Sequence, residues 1–109
     1  MRYYRYLYKS DSIKNLDKIK NNLNKRIGLL DYFLILWGRG DNQLEIMDAK
    51  FLKQSFYKKE APVVIGLAKT YEEALSLVLD ITNESISKTG LPDVKPYLIK
   101  RAKTKDFTL

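Results

Sequence analysis

A chain with neither histidine nor cysteine must do any chemistry with carboxylates, lysines, tyrosines and serines. The usual metal ligand and the usual general base near neutral pH are both missing, and thiolate metal sites and disulfides are excluded outright. Ser10, Ser85 and Ser87 have no imidazole to activate them, and no lysine stands at a spacing that marks it as their base. Asp41, Glu45 and Asp48 are the nearest approach to a cation cluster. On an alternating strand Glu45 and Asp48 diverge to opposite faces, so a solvated strand face accounts for them. No metal and no cofactor is expected, and the chain reads as non-enzymatic.

Two short strings invite a functional reading and do not sustain it. Gly66-Leu67-Ala68-Lys69-Thr70 joins a strand-like run to a helix-like one, where backbone N–H groups and Lys69 could receive an anion. The P-loop and dinucleotide glycine spacings are absent, and Glu72 and Glu73 would repel a phosphate at the same helix end. Arg39-Gly40-Asp41 spells the tripeptide that integrin ligands display, but Gly38 to Asn42 is a dense turn signal and turn chemistry explains those residues.

Charge and aromatic placement leave two classes of partner. Residues 1–30 carry eight basic residues against two acidic ones, so most of the net charge of +7 is amino-terminal. Arg2 and Arg5 interleave with Tyr3, Tyr4, Tyr6 and Tyr8, Lys14, Lys18 and Lys25 follow, and a second basic cluster comprises Lys100, Arg101, Lys103 and Lys105. The favoured reading is an interaction module that self-associates as a homodimer or binds protein through an aromatic sheet face or edge, with Tyr4, Tyr6, Tyr8, Tyr32 and Trp37 as contacts. The alternative is nucleic-acid binding by Arg2, Arg5, Lys14, Lys18, Lys25, Lys100, Arg101 and Lys103, which requires the two basic clusters to share a surface. No apolar run approaches the ~20 residues that span a bilayer, and the amino terminus lacks the apolar region of a signal peptide, so a cytoplasmic protein is expected, with no membrane partner.

The elements that must position these residues are legible in part. The clearest stretch is Pro62 to Gly90. Val63, Val64, Ile65, Leu67 and Ala68 predict a strand covered on both faces or at the centre of a sheet. Thr70 and Glu73 form a capping box, and Gly90, Leu91 and Pro92 stop the helix that follows. Ala74, Leu75, Val78, Leu79, Thr82 and Ile86 predict its core-facing stripe. Upstream, Arg2 to Lys9 reads as a strand. Ser10-Asp11-Ser12 offers N-caps for a helix with Ile13, Leu16, Ile19 or Lys20, Leu23 and Ile27 inward and Gly28 at its end.

Leu29 to Trp37 and Gln43 to Asp48 predict a hairpin with a loop of about four or five residues. Asp48 then caps a short turn carrying Ala49, Leu52 and Phe56. Asp93 to Ala102 contains Pro96 and predicts an edge strand or an arm over the core. The order β-α-β-β-β-α, with that further edge strand, predicts an α+β two-layer sandwich. A small mixed sheet has its helices on one face, in one domain over residues 1–109 with a mobile basic tail over 100–109.

Overall fold

The apolar run after Pro62 forms an inner strand covered on both faces, the environment its β-branched composition suits. The computed structural model describes residues 1–28, 32–40, 43–54, 57, 59 and 62–103. The main elements among them are the strands β1 (Arg2–Lys9), β2 (Phe33–Leu36), β3 (Glu45–Asp48) and β4 (Val63–Ala68), and the helices α1 (Leu16–Lys25), α2 (Tyr71–Thr89) and α3 (Val94–Ala102). The sheet order is β1-β4-β2-β3, with β1 parallel to β4 and the other two pairings antiparallel. The fold is α+β around a small mixed sheet, as the order of elements predicts.

Local chemistry sets the element ends. The Glu73 N–H donates to Thr70 Oγ1 at 3.1 Å as a capping box requires, while the Glu73 carboxylate accepts from the Thr70 hydroxyl at 3.1 Å and not from its backbone N–H. Gly90 takes φ 79° and returns its N–H to Ile86 O at 2.8 Å, which closes α2 where the sequence places its end. β2 and β3 pair as a hairpin with Leu36 opposite Glu45, so the connection is longer than expected and runs from Trp37 to Leu44; Asp41 and Asn42 lie outside the described residues. Asp48 accepts from the Lys50 N–H at 3.0 Å and starts a 3-10 turn over Ala49–Lys53, with Ala49 and Leu52 buried; Phe56 lies outside the described residues.

Alternation divides the core in two. Tyr3, Leu34, Leu36, Val64 and Leu67 pack with Ile13, Ile19, Leu23, Ala49 and Leu52 on one side of the sheet. Tyr4, Ile35, Ile65 and Ala68 pack on the other with Ala74, Leu77 and Ile81 of α2 and Val94, Tyr97, Leu98 and Ala102 of α3. The expectation that the helices share one face is corrected here: α1 lies opposite α2 and α3. The reason is β4, whose side chains are apolar in both directions and leave no face that water can cover cheaply. β1 and β2 are accordingly neither adjacent nor parallel, since β4 lies between them.

Two further expectations give way. Residues 94–102 form a helix and not an edge strand; Pro96 is its third residue, where the missing N–H would have had no intrahelical partner. Lys100 to Ala102 thus belong to the last turn of α3 and not to a tail, while 104–109, with Lys105, lie outside the described residues. α1 begins late, with Asn15 as its N-cap, because Ser10 and Ser12 bond each other at 2.9 Å and the Ser12 hydroxyl donates to Glu73. It ends at Arg26 in the left-handed conformation, φ 58°, and leaves Ile27 exposed beyond it.

Candidate functional site

α2 lies close on the sheet at Gly66, where a Cβ would stand 3.1 Å from Ile35 Cδ1 and 3.2 Å from Leu77 Cδ2. Ala74, Leu77, Ile81 and Ser85 are the buried side of the helix; of the stripe expected from the sequence Ala74 alone is buried, and the rest is corrected. At about 100° per residue these four occupy one arc, and Tyr71, Leu75, Val78, Leu79, Thr82 and Ile86 occupy the arc beside it. Together the two arcs cover about 200°, twice the apolar width a surface helix needs for one packing partner. Four members of the second arc face water: Tyr71 is 51% exposed, Leu75 44%, Leu79 56% and Ile86 45%, while Val78 and Thr82 are half-buried and Val78 packs on the core.

That outer arc carries no charge, and Thr82 is its one polar residue. The Thr82 hydroxyl donates back to Val78 O at 2.9 Å, so the residue offers no unsatisfied donor to the surface. Tyr71 sets its ring edge-on to Phe33, with centroids 6.1 Å apart, and so continues the apolar surface onto β2. A groove of about 380 Å³ runs beside Val78 and Thr82, with Leu44 and Pro92 on its other wall. Sequence reasoning singled out Leu75, Leu79 and Ile86 as apolar but assigned them to the core, and it missed Tyr71 as a surface residue. The available signal was the excess: α2 has more large apolar positions than one stripe can use.

The structure places the expected aromatic contacts unequally. Tyr4 is fully buried and its hydroxyl donates to Leu98 O at 2.7 Å, so it is a core residue. The Tyr8 ring stacks on Tyr4 with centroids 6.2 Å apart, and its hydroxyl donates to Glu84. Tyr6 is 45% exposed under the Arg101 guanidinium, 4.8 Å from the ring centroid. Tyr32 is half-buried against the α1 side of the core, and Trp37 half-buried against the α2 side. The sheet face that these residues were expected to leave open is therefore covered.

Glu84 gathers the charge of this region. It accepts from Tyr8 at 2.7 Å and also from Tyr97, and Arg101 Nε lies 3.6 Å away. Burial pushes the Glu84 carboxyl up, but the hydroxyls of Tyr97 and Tyr8, with Arg101 and Lys88, outweigh it and hold the carboxyl below its ordinary value. Burial and the bond to Glu84 in turn push Tyr8 up, and Tyr97 up to about 12. These shifts describe a tied structural cluster, with both phenols held neutral.

The basic candidates separate into two groups. Arg2 and Arg5 are exposed on edge strand β1; Lys14, Lys18 and Lys25 are exposed in or before α1. Lys100 and Arg101 are on α3 and Lys103 caps its end, across the sheet from α1, and with Lys88 they line a cleft of about 470 Å³ around Glu84 and Tyr97. A second cleft of about 670 Å³ shares Lys100 and adds Trp37, Arg39 and Lys95. Lys95 is buried under the Trp37 ring, 4.9 Å from its centroid, and donates to Gly38 O at 3.1 Å and to Gly40 O.

The remaining motifs stay structural. Thr70 and Glu73 occupy each other at the start of α2, and Asp11, Glu72, Glu73 and Asp80 make the neighbouring cleft acidic, so an anion is not favoured there. Ser85 is buried and donates to Leu91 O at 2.8 Å, which commits it to the turn between α2 and α3. Asp48 lies 3.7 Å from Lys50 as well as capping its turn. Among the described residues there is no group of three or more potential metal ligands, and no helix is long and apolar enough to cross a membrane. No protein-family model, no curated protein and no solved structure matches this chain.

Proposed function

We propose that this protein is a small non-enzymatic interaction module that binds protein, a second copy included, through the outer arc of α2. One observation carries the reading: Tyr71, Leu75, Leu79 and Ile86 stand 44% to 56% exposed in one row on a helix whose other apolar arc already faces the core. Covering apolar area stabilises by about 25 cal/mol per Å², and a continuous apolar surface on a small domain marks a contact site. The sheet face is unsuited to the role, since Tyr3 and Tyr4 are buried in it. An apolar dye at low protein concentration should bind the arc, and Leu75→Lys with Leu79→Lys should remove most of that fluorescence while the far-UV spectrum stays unchanged. Equal dye binding by both proteins would sink the reading.

A second reading, nucleic-acid binding, draws support from the two clefts that share Lys100. Lys88, Lys100, Arg101 and Lys103 beside Trp37 and Arg39 combine cations with an aromatic ring, the pairing that suits single strands. It ranks second because Lys88, Lys100 and Arg101 lie in the last turns of α2 and α3, where basic side chains offset the helix dipole. The α1 lysines also lie on the far side of the sheet. Phosphate contacts are strongest at low salt, so no binding of mixed-sequence oligonucleotides at about 50 mM salt removes this reading.

A further inference from the structure

We infer that the cleft between α3 and the turn after β2 binds a small aromatic acid, its ring against Trp37 and its anionic group between Lys100 and Arg39. The site goes beyond the protein-binding reading and uses a different surface from the outer arc of α2. The helical period builds one wall. Val94, Tyr97, Leu98 and Ala102 turn to the core, so Pro96, Ile99 and Lys100 stand together on the exposed side of α3. Trp37 and Arg39 make the facing wall, and the space between is about 670 Å³, within the range of about 300 to 1,000 Å³ that small-ligand sites occupy.

Lys95 fixes the distance between the walls. It belongs to α3, and its ammonium donates to Gly38 O at 3.1 Å and to Gly40 O in the turn while lying 4.9 Å from the Trp37 ring centroid. It is 6% exposed, so this strap lies inside the protein and not on its surface. A cleft already held open spares a ligand the cost of ordering it.

The chemistry of the lining selects the ligand. Arg39, Lys95 and Lys100 set three cations around an apolar floor of Trp37, Pro96 and Ile99. Among the described lining residues no side chain is acidic and none offers a hydrogen-bond acceptor, and the carbonyls of Gly38 and Gly40 already accept from Lys95. A ligand that fits is apolar over its body and carries only acceptors at its polar end. A carboxylate meets that condition, and ammonium or guanidinium donors bond it with charge assistance. Sugars, amines and the amino edge of a nucleobase do not, because their donors would meet no side-chain acceptor. A ring suits the floor better than a chain, since an indole gains from a second ring beyond the area the two cover.

Trp37 is the single tryptophan of the chain, so one indole N–H resonance reports the cleft in a proton–nitrogen NMR spectrum of the whole protein. Cinnamate should move that resonance saturably, with a dissociation constant below about 1 mM, the strength a ligand of that size can gain. Cinnamyl alcohol keeps the ring and loses the charge, and it should bind at least about tenfold more weakly. Adenosine monophosphate should also bind more weakly than cinnamate. Ile99→Glu should abolish the shift, and Lys100→Gln should weaken cinnamate about threefold, while Lys18→Gln on α1, across the sheet, should leave it unchanged. Leu75→Lys with Leu79→Lys should leave cinnamate binding intact, so a lost dye signal counts against the α2 reading alone.

An indole resonance that stays in place at millimolar cinnamate overturns the inference, as does equal affinity for cinnamyl alcohol. Adenosine monophosphate binding more tightly than cinnamate overturns the choice of an aromatic acid. Equal effects of Lys100→Gln and Lys18→Gln, or none from either, would reduce the binding to net charge or to ring contact elsewhere and overturn the site.

Discussion

The Tyr8 hydroxyl donates to Glu84 Oε1 at 2.7 Å and ties β1 to the C-terminal half of α2. Tyr8→Phe removes a bond to a charged acceptor, which should cost about 1 kcal/mol, the low end for such bonds because Tyr97 and Arg101 still hold Glu84. Thermal unfolding followed by circular dichroism should show a Tm about 4 °C lower. Acid adds a second signature. The folded carboxyl is held below its ordinary value of 4.5, so the unfolded chain takes up the proton first as the pH falls. The contribution of Glu84 is complete above that value and is lost as the pH drops through the folded one. Glu84→Gln should flatten the fall in urea midpoint between about pH 5 and about pH 3, and parallel curves for the two proteins would refute the assignment.

The two arcs of α2 should respond unequally to truncation. Leu77 is 9% exposed against Gly66 and Ile35, and Leu77→Ala should cost about 2 to 4 kcal/mol through lost burial and the cavity left behind. Leu79 is 56% exposed, and Leu79→Ala should change stability by no more than about 0.5 kcal/mol. Urea unfolding at low protein concentration separates the cases. A larger cost at Leu79 than at Leu77 would mean that the buried side of the helix has been assigned wrongly.

The same helix shows why some of the molecule was legible in the sequence and some was not. Its ends were legible because Thr70, Glu73 and Gly90 act through local bonds that need no distant partner. Its buried side was not, Ala74 apart, because Leu77 and Ile81 and the row from Tyr71 to Ile86 both keep helical period, and period alone does not choose between adjacent arcs. The candidate site is the arc left over from that choice. α1 started late because tertiary bonds to Glu73 claimed the serines that would have capped it. α3 was hidden by Pro96, which reads as a breaker unless it falls in the first turn.

Alkali should unfold the protein partly through Tyr3. Its hydroxyl donates to Asn24 Oδ1 at 3.3 Å under α1, and burial, opposed weakly by Arg26, pushes its pKa from 10.0 up to about 12. A folded pKa above the unfolded one means that the contribution is intact below about pH 10 and disappears as the pH rises towards the folded value. Tyr3→Phe should therefore lose less urea midpoint than the native chain between about pH 9 and about pH 12. Identical losses would show that Tyr3 ionises as freely in the folded state as in the unfolded one.

Lys95 holds the turn after β2 from beneath. Its ammonium bonds Gly38 O at 3.1 Å and Gly40 O, lies 4.9 Å from the Trp37 ring centroid, and is almost wholly buried. Lys95→Met keeps the length of the side chain and removes the donors, leaving two carbonyls to find water. The cost should be about 2 kcal/mol, in the range for hydrogen bonds that involve a charged group. Trp37 is the single tryptophan of the chain, so its fluorescence reports this site alone. Freed from the ammonium and from a fixed turn, the indole should emit further to the red in the folded variant. An unshifted spectrum with unchanged stability would mean that the turn is held by other contacts and that Lys95 only fills space beneath it.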